Sequence, residues 1–168
     1  MPRLRCTEKL LRAMGGAHLR QAGEDAAREQ PEDWYANLVW LGGRKCVLFT
    51  HVGTLFPIVV FDTPASRLRD LPAILRDSYT TALDKLEVGR ARVAGELLRM
   101  GHPPLARTCN RVVLATMNDY SVEIASRVKD SGGIACADAT AMSLLTAASP
   151  LGALGGKTSI HAVLERFS

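Results

Sequence analysis

The residues of this chain whose types could do chemistry gather between Trp34 and His51, with Lys9 ahead of them and Asn118-Asp119 far downstream. A histidine titrates near pH ~6.5, so His51 could serve as a general acid or base. Arg44, seven residues earlier, carries a planar fork of donors that fits a phosphate or carboxylate. Together they describe a small enzyme acting on a phosphorylated or carboxylated substrate. Lys9, Trp34, Asn37, Arg44, Asn118 and Asp119 form a set of ligand-binding candidates, with Tyr35 and Lys45 beside them.

Each has a plainer reading, and the plainer one is favoured. Trp34 can pack under a hydrogen-bonded His51 while Arg44 and Lys45 stand in water at a turn. Asn37 falls among Val39, Cys46 and Leu48, where an amide without partners costs about 1–3 kcal/mol. It therefore reads as satisfying the backbone of a neighbouring loop. Asn118 and Asp119 are short polar residues in a helical pattern, where such residues favour caps and turns. They cap a kink, or they point with Arg107 and Arg111 into a shared cleft.

Other motifs fall away on spacing. Gly155-Gly156-Lys157-Thr158 ends like a phosphate-binding loop, but the glycine that loop requires five residues before Gly156 is Leu151. Cys46 and His51 differ by an odd number of residues, which puts them on opposite faces of a strand and rules out a dyad. The cysteines at 6, 46, 109 and 136 form no pair and read as buried free thiols. The histidines at 18, 51, 102 and 161 lack metal-site spacing. No metal or cofactor is expected.

These side chains must be held by elements the sequence also suggests. Leu4-Arg5-Cys6 reads as a strand over 3–6, and Thr7 caps a helix over 8–14 that stops at Gly15-Gly16. The polar stretch to Asp33 reads as a connecting loop. WYANLVWL, RKCVLFTH and LFPIVVFD then form an antiparallel meander over 34–62. Gly42-Gly43 supplies a two-residue primed turn, which sets Leu41 opposite Arg44, Trp40 opposite Lys45, Leu38 opposite Val47, Ala36 opposite Phe49 and Trp34 opposite His51. Both faces of the pair are apolar in the middle, so helices cover both, or a partner covers one, a second copy of the chain included. Pro57 places the third strand at an edge or bulge. Apolar spacings of three and four then predict a turn at 66–70, a helix over 72–87, a short one across ARVAGELLRM and an amphipathic helix from Asn110 or Thr108 to Gly132-Gly133. Within that last helix RVVLAT alone would pass for a strand. Asp138 caps a helix over 139–147, and SIHAVLERF makes a last turn.

The chain has 168 residues, 47% of them apolar, and reads as a single globular domain over 1–168. No apolar run reaches the ~20 residues of a membrane span, and the start lacks a secretory stretch, so a cytoplasmic location is expected. A net charge of +4 favours an anionic partner, a small anion or nucleic acid. Aromatic residues at 5% argue against a surface that stacks many bases.

Leu4-Arg5-Cys6-Thr7 with Lys9-Leu10-Leu11, Trp34-Tyr35-Ala36-Asn37-Leu38, Arg44-Lys45-Cys46-Val47-Leu48, Arg111 to Leu114 with Met117-Asn118-Asp119, and Pro150 to Leu154 occur in a series. That series resembles an uncharacterised bacterial domain family with a Leu-x-Cys-Thr-x-Lys-Leu start and Trp-x-Ala-Asn-Leu and Arg-Lys-x-x-x-Leu strands. The resemblance spans most of the chain. It departs at His51, where many members carry asparagine. It implies a compact bacterial domain and assigns no activity or cofactor.

The expected fold is α+β, a small antiparallel sheet built from the 34–62 meander and the N-terminal strand and packed against C-terminal helices. A binding module for an anionic ligand, nucleic acid or protein partner ranks above the His51 enzyme, because the register sets His51 and Arg44 on opposite faces.

Overall fold

A computed structural model describes residues 1–15, 17–18 and 28–168. Most of the connecting loop before Asp33 lies outside the described residues. The elements run β1 (Leu4–Cys6), α1 (Glu8–Met14), β2 (Trp34–Leu41), β3 (Arg44–His51), β4 (Pro57–Val60), α2 (Ala65–Leu68), α3 (Leu71–Lys85), α4 (Arg90–Met100), β5 (Leu105–Arg107), α5 (Arg111–Asp130), α6 (Ala139–Ala147) and α7 (Ser159–Arg166). The fold is α+β, with a five-stranded sheet in the order β4-β3-β2-β1-β5.

Gly42 and Gly43 hold φ of 56° and 78°, the left-handed pair a tight primed turn requires and only glycine adopts freely. The register is the one that turn dictates, from Leu41↔Arg44 to Trp34↔His51. Pro57, without an N–H, opens the edge strand β4.

The sheet is mixed where the sequence suggests an antiparallel one. β1 lies parallel to both β2 and β5. The short LAR strand has too few residues to show a period, and a parallel partner arrives through a long crossover that no turn residue announces.

Residues alternate between two cores. Leu4, Cys6, Trp34, Ala36, Leu38, Val47 and Phe49 face α1, α3, α4 and the end of α7. Tyr35, Val39, Leu41, Cys46 and Leu48 face α5. Helices thus cover both faces, which is why the strands are apolar on both sides.

RVVLAT is helical. Asn110 Oδ1 accepts from the N–H groups of Val112 and Val113 at 2.9 and 3.3 Å, and Val113, Met117, Tyr120, Ile124 and Val128 form one buried stripe. Asp138 Oδ1 caps α6 at 2.7 Å. The C-terminal stretch is a full helix, α7, capped by Thr158. The two cores are tied at Leu55, whose φ is 53°. Its carbonyl accepts from Tyr120 Oη at 2.8 Å and Ser159 Oγ at 3.1 Å. Among the described residues no helix is long and apolar enough to cross a membrane.

Candidate functional site

The hairpin carries more than register. Trp40 and Lys45 are cross-strand neighbours beside the glycine turn, on the face where Trp34, Ala36 and Leu38 are buried. The covering helices stop short of Trp40, leaving it 54% exposed. Lys45 Nζ stands 5.8 Å from its ring centroid, near the outer limit of a cation–π contact.

The next strand's exit supplies the opposite wall. Asp62 takes a left-handed turn at φ 52°, a conformation aspartate tolerates, and orients two guanidinium groups. Its Oδ1 accepts from Arg44 Nη1 at 2.9 Å, and its carbonyl accepts from Arg67 Nη1 at 2.9 Å. Thr63 fixes the floor, its N–H and hydroxyl both donating to the Lys45 carbonyl at 2.9 and 3.3 Å. The result is an open groove of about 560 Å³ lined by Trp40, Arg44, Lys45, Asp62, Thr63, Pro64 and Arg67. Arg44 is 63% exposed, so its pairing with Asp62 is worth little and yields to a competing anion.

His51 is elsewhere. It is 1% exposed and about 23 Å from Arg44 along β3 at ~3.3 Å per residue. Its Nδ1 accepts from the Thr54 N–H at 3.2 Å and lies 2.9 Å from Thr54 Oγ1. That acceptor role leaves the proton on Nε2. The ring meets Trp34 edge-on at 5.0 Å, and Trp34 meets Tyr79 at 4.9 Å. Burial, with help from the Arg166 charge, lowers the His51 pKa to about 3. Trp34 and His51 therefore sit together in the core, away from Arg44.

A third polar group lies where β1 and β5 end and their chains diverge to α1 and α5 on opposite faces of the sheet, the place where parallel sheets form crevices. Arg5 Nε donates to the buried Asp33 carboxylate at 2.7 Å, and its Nη1 reaches the Arg107 carbonyl at 3.1 Å. Tyr35 Oη accepts from the N–H groups of Cys109 and Asn110 at 3.1 and 2.8 Å and donates to Glu29. Burial, then the Glu29 carboxylate, push the Tyr35 pKa upward, which keeps the phenol a donor. Asn110 Nδ2 donates to the other Glu29 oxygen at 2.7 Å. The crevice is thus filled by the chain's own carboxylate.

Asn37 belongs to the same end of the sheet, its Oδ1 accepting from Thr7 Oγ1 at 2.8 Å, which ties β2 to the cap of α1. Lys9 stands exposed on α1, and Asn118 and Asp119 stand exposed on α5, next to the inward Met117 and Tyr120. Lys157 pairs with Glu165 at 2.9 Å and Thr158 caps α7, so both are engaged within the α7 region. The thiols divide. Cys6 and Cys46 are buried, burial pushing Cys6 up to about 12, whereas Cys109 and Cys136 are exposed, contrary to the expectation that all four are buried.

The candidates therefore scatter over several places, and of them only Arg44 and its neighbour Lys45 join the groove. Trp40, Asp62, Thr63 and Arg67 are the lining residues that spacing did not single out. The signal for Trp40 was present in its pairing with Lys45 beside the turn.

No curated protein matches the chain. A family model does, over residues 3–161, described as a domain of unknown function. The chain therefore belongs to the DUF6933 family of domains of unknown function.

Proposed function

We propose that this chain is a binding module for a phosphate- or carboxylate-bearing ligand, taken up in the groove beside the Gly42-Gly43 hairpin. The observation that carries the reading is a half-exposed tryptophan sharing one groove with Arg44, Lys45 and Arg67 against one carboxylate, that of Asp62, among the described residues. An indole left half in water forgoes about 25 cal/mol for each Å² of apolar surface it keeps exposed, and three cations on one rim attract an anion before contact. Arg67 is anchored through the backbone carbonyls of Phe61 and Asp62, and among the described residues no acid forms an ion pair with it. The reading of His51 as acid or base loses support from its burial and from its distance to Arg44.

The test is calorimetric titration of the protein with inorganic tripolyphosphate at low and moderate salt. Binding is expected to weaken as salt rises and to fall about tenfold or more in the Arg44→Ala/Arg67→Ala double variant, each charge-assisted bond being worth ~1.5–3 kcal/mol. Equal binding by the double variant, or none by the parent protein at low salt, would remove the proposal.

A further inference from the structure

We infer that the partner of this groove is single-stranded nucleic acid, one unpaired base stacking on Trp40 with its flanking phosphates on Arg44, Lys45 and Arg67; the inference rests on the anion-binding reading above. A bare polyanion would satisfy the three cations and leave the indole facing water. An acidic peptide would do the same, since carboxylates bring charge without a flat apolar plane. A duplex brings phosphates but keeps its base faces inside the stack. An unstacked base with phosphates on either side uses both parts of the rim, an aromatic platform beside cations being the way single strands are held.

The geometry suits a short contact. Trp40 is the one large aromatic side chain lining the groove, so one base stacks. Lys45 reaches the ring only at 5.8 Å, so the ammonium can leave it for a phosphate at little cost. Arg44 is held by an exposed carboxylate it can release. Arg67 is fixed by the backbone carbonyl of Asp62 and presents its remaining donors without rearrangement. Three phosphate contacts on a single strand predict a slope of log K against log salt of about −2.

The experiment titrates the full chain with dye-labelled dT12, with rU12, with dT12 annealed to its complement, with polyphosphate and with poly-glutamate, followed by anisotropy and by tryptophan emission. Trp34 is buried, so quenching reports on Trp40. Trp40→Ala, a change at an exposed position, should weaken the single strands about tenfold and leave polyphosphate unchanged, with Trp40→Phe restoring most of the loss. dT12 against rU12 tells whether the sugar matters and leaves the inference standing either way. Unchanged dT12 binding by Trp40→Ala, or duplex, poly-glutamate or polyphosphate binding as tightly as dT12, would overturn the nucleic-acid inference while the anion site stands. Failure of every polyanion to bind at low salt would end both.

Discussion

His51 stays neutral because its ring is sealed between Trp34 and the turn at Thr54, and neutrality has a thermodynamic consequence. The folded pKa is lowered to about 3, so between that value and the ordinary ~6.5 the unfolded chain binds a proton that the folded one does not. Stability is therefore complete above pH ~6.5 and is lost as pH falls, by about 2 kcal/mol at pH ~5. Urea midpoints at pH 7 and pH 5 should show that drop in the parent protein, and His51→Gln, though less stable at pH 7, should lose less between the two. An equal drop would trace the effect to other groups. Arg5 makes a second residue-scale case. Arg5→Ala removes the counter-charge of the fully buried Asp33 carboxylate, leaving it the N–H groups of Arg3 and Gln30, and should cost about 3–5 kcal/mol, whereas Arg44→Ala breaks an exposed pair and should cost under ~1 kcal/mol. Denaturant unfolding of both variants checks the contrast. The Trp34–His51 pair was legible in the sequence because strand alternation and a fixed turn place it. Arg5 was not, since an arginine in a three-residue strand resembles any surface cation until Asp33 and the Arg107 carbonyl arrive from distant segments.

At the level of elements, what could be read was whatever carries a local marker. The glycine pair fixed the hairpin register, Asp138 marked α6, and the apolar stripe from Val113 to Val128 resolved RVVLAT as helix. Asn110 does more than its position announced, because it caps α5 through two N–H groups and also binds Glu29. Asn110→Ala should therefore cost about 1–2 kcal/mol and should speed amide exchange at Val112 and Val113 ahead of the rest of α5. Uniform exchange along the helix would show that the cap contributes nothing local. The strand β5 and the parallel pairing of β1 escaped because three residues carry no period and a crossover carries no turn signature. The groove was half legible for the same reason: Arg44 and Lys45 belong to the hairpin, while Asp62, Thr63 and Arg67 enter from the exit of β4, where nothing in residue spacing reports proximity.

Across the whole molecule, one sheet is shared by two cores, and Leu55 is bonded to hydroxyls of both α5 and α7. We expect the chain to unfold as one unit: far-UV circular dichroism and Trp34 emission in a Trp40→Phe background should give the same denaturant midpoint, and two separated midpoints would mean the layers melt independently. The outer border of the sheet at β4 has its own consequence. Backbone N–H groups alternate in direction along a strand, so Pro57 and Val59 share the outward side; proline has none to offer, and the Val59 N–H is taken by Ser143 Oγ at 2.9 Å. That flank therefore has no free donor with which to recruit a foreign chain. Growth of the sheet by strand addition, the common route to fibrous self-assembly, is blocked there by one imino acid and one hydroxyl.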